Sequence, residues 1–192
     1  IHRVSAVNFL ILLLRSYGIY VILIILNKLG DQMKLVMSIV YVAVLGVLAH
    51  YIGESLPRSR FSETGFFYRA RDWENGGAVY ERIGIRKWKT RLPDMSRIMR
   101  DMLPKRVTYD ATSESLTALI RETCVAEFIH CWLCVFSFGI YLIWKNYIGI
   151  ILMFVFIFCN IPFILIQRYN RPHLIKLRDR MLRREIKKQC DC

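Results

Sequence analysis

The sequence predicts an all-α integral membrane protein, with about four transmembrane helices in two hairpins and an interfacial, cytoplasmic amphipathic segment between them. Three observations carry this prediction. Hydrophobic residues make up 55% of the 192, with a mean hydropathy of +0.32. They gather into four long runs rather than the scattered pattern of a soluble core, and the charges that give a net +13 lie between those runs.

Each run approaches the roughly 20 residues needed to cross a bilayer. The first extends from Val4 to Leu29 and contains a single charge, Arg15; the second extends from Leu35 to Ile52. The third runs from Cys124 to Trp144 and the fourth from Tyr147 to Ile166. Short connections make each pair a hairpin. A signal peptide explains the first run less well, because its apolar stretch is too long and no small-residue cleavage site precedes the second. The chain opens on Ile1 in place of Met, which leaves room for a preceding piece.

Charge sets the orientation. Of 28 basic residues, fourteen lie between Arg58 and Arg121 and nine from Arg168 onward, whereas the hairpin turns hold only Lys28, Lys34 and Lys145. Lys and Arg accumulate on the cytoplasmic side of short loops, so both termini and the central segment are expected in the cytoplasm of a multi-pass bacterial cell-membrane protein. The chain thus divides into an N-terminal hairpin (1–53), a cytoplasmic interfacial segment (54–122), a C-terminal hairpin bearing the polar motifs (123–174) and a basic tail (175–192).

The central segment interleaves Phe61, Phe66, Phe67, Tyr68, Trp73, Tyr80 and Trp88 with arginines and lysines, offering rings to lipid and cations to phosphate. Asp72 is placed to cap a short helix ending at Gly84, against the weakening effect of Gly76 and Gly77. A second short helix is expected from Met95 to Met102. A third should begin at Thr112 or Ser113 and continue into the third span. The same mixture of basic and aromatic residues occurs in nucleic-acid binders, but here the cations flank membrane spans and orientation already accounts for them. No nucleic-acid partner is expected.

Six cysteines form no disulfide framework: four sit in or beside apolar runs, and Cys190 and Cys192 lie in the basic tail. Cys131 and Cys134 have metal-pair spacing, but no second pair completes a tetrahedral site, so they read as packing thiols and no metal is expected.

The chemistry resides in the last two runs. Ionisable residues inside a hydrocarbon layer are costly, so Glu127 and His130, one helical turn apart, mark a functional site. Thr123, Glu127, His130, Cys131 and Cys134 share one broad face by three- and four-residue spacing, which lets Glu127 orient His130 as a general base. The alternative is structural, with the pair tying its helix to Asn160 or Arg168 on the next.

Ala126-Glu127-Phe128-Ile129-His130, Asn160-Ile161-Pro162 and Gln167-Arg168-Tyr169-Asn170-Arg171-Pro172 resemble the small membrane acyltransferases typified by the glycosyl-4,4′-diaponeurosporenoate acyltransferase of staphyloxanthin biosynthesis. Arg86-Lys87-Trp88-Lys89 resembles the basic-aromatic stretch of the same family. The resemblance covers Phe66 to Leu174, and the terminal block is its specific part. It implies transfer of a fatty acyl group to a sugar hydroxyl of a membrane glycolipid, in that family the glucose 6-hydroxyl of a glycosylated carotenoid.

Acyl transfer needs a base, an oxyanion stabiliser and a dry site. His130 would be the base and Glu127 its orienter. Asn160, Asn170 or Arg171 would stabilise the oxyanion. Arg86, Lys87, Trp88, Lys89, Arg168 and Tyr169 would hold the substrate or donor. No permanently bound cofactor is expected; the co-substrate is acyl-coenzyme A or an acyl carrier protein thioester, and the partners are that donor and a lipid or glycolipid acceptor. The chain lacks a His-x4-Asp pattern and a Gly-x-Ser-x-Gly elbow, which favours direct attack over a covalent serine intermediate. Two rival readings are an integral methyltransferase or reductase, for which no Gly-rich phosphate loop is present, and a non-enzymatic accessory protein.

Overall fold

The computed structural model describes residues 29–89 and 112–190, which are helical throughout their ordered elements, with no strand among them. The first apolar run, Val4 to Leu29, and the expected helix from Met95 to Met102 lie essentially outside these residues. Three described helices are long and apolar enough to cross a membrane: Gly30–Ser55, Ser113–Trp144 and Tyr147–Lys187. The chain is therefore an all-α membrane protein.

Helix α1 (Leu29–Ser55) carries the second run. Its last carbonyls lie beyond intrahelical reach, and Arg58 satisfies them: Nη1 donates to Gly53 O, Glu54 O and Leu56 O at 2.7–2.8 Å. Arg58 Nε also pairs with Glu122 Oε1 at 2.7 Å, so the group that caps α1 ties it to the third span.

The expected helix from Asp72 to Ile83 is split. A 3-10 segment at Asp72–Gly77 precedes α2 (Ala78–Arg82). Asn75, Gly76 and Gly77 all have positive φ, the left-handed backbone that an α-helix excludes. Gly84, also at positive φ, ends the turn after α2, and α3 (Ile85–Trp88) follows. Phe66, Phe67 and Trp73 are 67%, 74% and 62% exposed.

Thr112 caps α4 (Ser113–Phe136): its side chain accepts from the Ser115 amide while Ser115 Oγ accepts from the Thr112 amide. After a break at Ser137, α5 (Phe138–Trp144) completes the span. Lys145 in the left-handed region turns the chain, and Asn146 Oδ1 receives the Ile148 and Gly149 amides to start α6 (Tyr147–Cys190). At 44 residues, α6 runs through Pro162 and Pro172 without ending, so the basic tail is the far end of the fourth-run helix rather than a separate unit.

Contacts fix which ends lie together. Trp144 Nε1 donates to Ser38 Oγ and Lys34 sits over the Trp144 ring, placing the start of α1 beside the α5–α6 turn. At the other end, Arg168 reaches Glu74 and Arg178 reaches Glu63, so the central segment and the basic half of α6 share one side. Ile140 and Trp144 anchor the core at the turn end; Phe61, Cys124 and Val125, and Tyr80, Ile85 and Tyr169, anchor it at the polar end. Among the remaining cysteines, Cys131 and Cys159 are exposed.

Candidate functional site

Where the spans meet the central segment, three buried charges, Glu74, Glu127 and Arg171, and the half-buried Arg168 close on one another. Glu127 on α4 accepts from Arg168 Nη1 at 2.7 Å through Oε1 and from Arg171 Nη2 at 2.5 Å through Oε2. Arg168 Nε continues to Glu74 Oε1 at 2.5 Å. The two carboxylates and two guanidiniums sum to zero charge, the condition under which burial is tolerable.

The remaining donors are also placed. Arg171, 2% exposed, gives Nε to Thr123 Oγ1 and Nη1 to Tyr68 O. Arg168 reaches the carbonyls of Phe67 and Arg69. Glu74, 1% exposed, accepts from the Tyr80 hydroxyl at 2.6 Å and from the Arg71 amide at 2.8 Å. Burial pushes the Glu74 carboxyl up, but hydrogen bonds from Arg168, Tyr80 and Arg71 outweigh it and hold the group below the ordinary carboxylate range. The same environment drives the Tyr80 hydroxyl up, through burial first and then the Glu74 charge.

This arrangement corrects the expected pairing of Glu127 with His130. A guanidinium offers a carboxylate charge-assisted, geometrically matched bonds that a neutral imidazole does not. Two arginines from α6 occupy both Glu127 oxygens, and His130 takes a different partner. Its Nδ1 lies 2.9 Å from Asn160 Oδ1, and its ring stacks on Phe163 at 4.7 Å and 7°. Asn160 Nδ2 donates to Phe156 O at 2.9 Å, which orients the amide with its oxygen toward the imidazole. The expectation that Arg171 stabilises an oxyanion meets the same obstacle, since its guanidinium is committed to Glu127, Thr123 and Tyr68.

His130 and Glu127 also open onto different spaces. His130 lines a cavity of about 350 Å³ between α1, α4 and α6, together with His50, Val125, Ile129, Phe163 and Gln167. Glu127 lines a groove of about 440 Å³ on another side of α4, walled by Phe67, Phe128, Cys131 and Trp132.

The basic-aromatic residues form a third group. Lys89 donates to Asn170 Oδ1 at 3.2 Å and lies over the Tyr169 ring. Arg86 reaches the Tyr169 hydroxyl at 3.1 Å and pairs with Glu81. Trp88 Nε1 donates to Ile83 O. Burial, then the Arg86 charge, lowers the Lys89 pKa. Lys87 is exposed. Asn170 and Tyr169 thus serve this cluster rather than the His130 cavity.

Sequence reasoning missed three residues. Glu74 falls inside the expected short helix, and its partner Arg168 is 94 positions away. His50 on α1 lines the same cavity as His130, with the whole central segment between them in sequence. Gln167 had a visible signal: with Asn160 and Phe163 it forms a stripe of three- and four-residue spacing, the periodicity of one helix face.

Residues 64–180 match the family described as glycosyl-4,4′-diaponeurosporenoate acyltransferase. The enzyme of that name from Staphylococcus aureus strain bovine RF122 / ET3-1 is 28% identical over 127 residues, covering 66% of this chain and 76% of its own. Those of strains MRSA252 and N315 are 28% and 27% identical with the same coverage. No solved structure matches. The matched segment contains the four-charge cluster and the His130–Asn160 pair, and α1 precedes it. By this match over more than half its length, the chain belongs to the glycosyl-4,4′-diaponeurosporenoate acyltransferase family.

Proposed function

We propose that the chain moves a fatty acyl group from a coenzyme A or acyl carrier protein thioester onto a hydroxyl, in a sugar, of a membrane glycolipid, with His130 as general base. The supporting observation is the Asn160 amide. Its Oδ1 only accepts, so a neutral His130 beside it carries its proton on Nδ1 and its lone pair on Nε2. Asn160 therefore takes the orienting role first expected of Glu127, and Glu127 serves to hold α6 against α4.

The steps balance on these groups. Nε2 accepts the hydroxyl proton as the oxygen attacks the thioester carbonyl. The tetrahedral oxyanion collapses with cleavage of the C–S bond, and the departing thiolate takes the proton back from the imidazolium. The apolar part of the wall, Val125, Ile129, Leu133 and Phe163, limits competition from water as nucleophile. Exposed Lys87, with Arg86, supplies charge to attract donor phosphates.

The relatives are named for a glycosylated diaponeurosporenoate acceptor, which makes a glycolipid with an apolar tail the acceptor class to test. The proposal also places the central segment and the basic half of α6 in the cytoplasm of a bacterial cell membrane. Cysteines introduced at Ser62 and Asn146, in a cysteine-free background, should label from opposite sides.

The decisive experiment is mass spectrometry of lipids from cells with and without the chain. A glycolipid gaining the mass of one acyl group, with the gain lost in His130→Ala, is the expected result. An unchanged lipid profile in a strain supplied with glycosylated carotenoid would refute the acceptor class.

A further inference from the structure

Gln167 is 4% exposed and lines the cavity of His130. A side-chain amide in a cavity wall offers both a donor and an acceptor to a polar atom of a bound molecule. Ala49, Val125, Ile129, Leu133 and Phe163 make much of the wall apolar, and the charged side chains that line it, Glu54, Arg58 and Glu122, are ion-paired with one another. An occupant of this space needs a hydrogen-bonding head and a hydrocarbon body.

The α1 side of the wall is built from Gly46, Ala49 and Gly53, spaced three and four apart on one face. A Cβ at Gly53 would already meet Ile129 Cγ1 at 3.5 Å, whereas one at Gly46 would meet nothing within 4 Å. The open part of the cavity therefore lies at Gly46. Because α1 precedes the family-matched residues 64–180, this wall is separate from the segment that carries the proposed base.

We infer that this cavity holds the donor's acyl chain, with the thioester carbonyl at the Gln167 amide beside His130 and the hydrocarbon along α1, and that Gly46 limits the chain length accepted. The inference rests on the acyl-transfer reading above and extends it to the donor. The Gln167 N–H donates to the carbonyl oxygen and follows it as it becomes the oxyanion. Gly46 is exposed, which gives the chain a sideways entry from the bilayer.

Two measurements on the full chain in nanodiscs test this. In the first, kcat/KM is measured across saturated acyl-coenzyme A donors of increasing length for the parent, Gly46→Leu and Gly30→Leu. Gly30 is a second α1 glycine with nothing within 4 Å, and it does not line the cavity. Each buried methylene is worth about fourfold in affinity, so Gly46→Leu should lower the long-to-short ratio by about tenfold or more, and Gly30→Leu should leave it at the parental value. In the second, a fatty acyl-coenzyme A with a diazirine near the chain end is photolysed and the labelled peptides are identified. Labelling of α1 around Gly46 supports the site even if no acceptor is turned over, which would count against the acyl-transfer reading alone. Labelling confined to the groove of Phe67, Phe128 and Trp132, or a long-to-short ratio unchanged by Gly46→Leu while transfer continues, overturns the inference and leaves that reading intact.

Discussion

The two sides of α4 hold polar residues at similar depth and differ in how those residues are satisfied. Toward the central segment, Glu127 and Thr123 meet Arg168 and Arg171, and every charge there has an opposite partner within hydrogen-bond reach. Toward α1, His130 meets the neutral Asn160 amide, and it and Gln167 line a space large enough for a ligand. Burial of a polar group marks a constraint but does not reveal whether the constraint is folding or chemistry. Access distinguishes them: a closed, neutral cluster commits its donors and acceptors to one another, whereas the α1 side presents an imidazole and an amide to a cavity.

The sharpest way to break this contrast is Glu127→Ala. It leaves Arg171 without its carboxylate partner and Arg168 with one of two, a change worth about 3–5 kcal/mol of stability. Thermal unfolding in detergent should show a large fall in the midpoint. A variant that melts like the parent but has lost turnover would make Glu127 catalytic and restore the pairing first expected from the sequence.

His130→Ala is the converse case, expected to lower turnover by about two or more orders of magnitude with a near-parental melting curve. Asn160→Ala should lower turnover by less, because the imidazole remains but is no longer held in one tautomer. Retained turnover in His130→Ala would move the chemistry out of the α1 cavity.

A pH series separates the two sides further. Glu74 has a folded pKa below its ordinary value of 4.5, so its stabilising contribution is fully present above the unfolded pKa and is lost as pH falls through the folded one. The parent should lose stability over that acid window, and Glu74→Gln should show a shallower dependence from a lower starting point. Identical acid limbs would mean that the Glu74–Arg168 link contributes nothing to folding.

The smallest effect is expected at the third cluster. Lys87→Ala should raise the donor KM a few-fold with little change in kcat, because a cation that contacts phosphate equally in ground and transition states supplies uniform binding. Added salt should mimic it, since exposed charges are screened beyond about 8 Å. Lys89→Ala should additionally lower stability by about 1 kcal/mol, through the lost contacts to Asn170 and Tyr169. Equal behaviour of the two lysines would erase the distinction between a free cation and a packed one.

The sequence alone determined the membrane class, the positions of the second, third and fourth runs, the Thr112 start of α4, the stop at Gly84 and the family. Each is written in local composition or spacing: apolar run length, a capping side chain, a residue tolerant of positive φ, a contiguous motif. It also marked Glu127, His130, Asn160, Arg168 and Arg171 as residues needing explanation, because burial cost depends on residue type and hydropathy alone. Only the tertiary structure decided their partners. Glu127 and His130 lie one turn apart on α4, and spacing made them a pair. However, α6 presents two arginines on one flank of that helix and an asparagine on the other, so the carboxylate and imidazole are drawn apart. Glu74, His50 and Gln167 joined the sites by the same means, from segments whose packing no local pattern encodes. Partner choice follows from which charges and amides the fold brings within about 3 Å, a property of helix packing rather than of sequence distance.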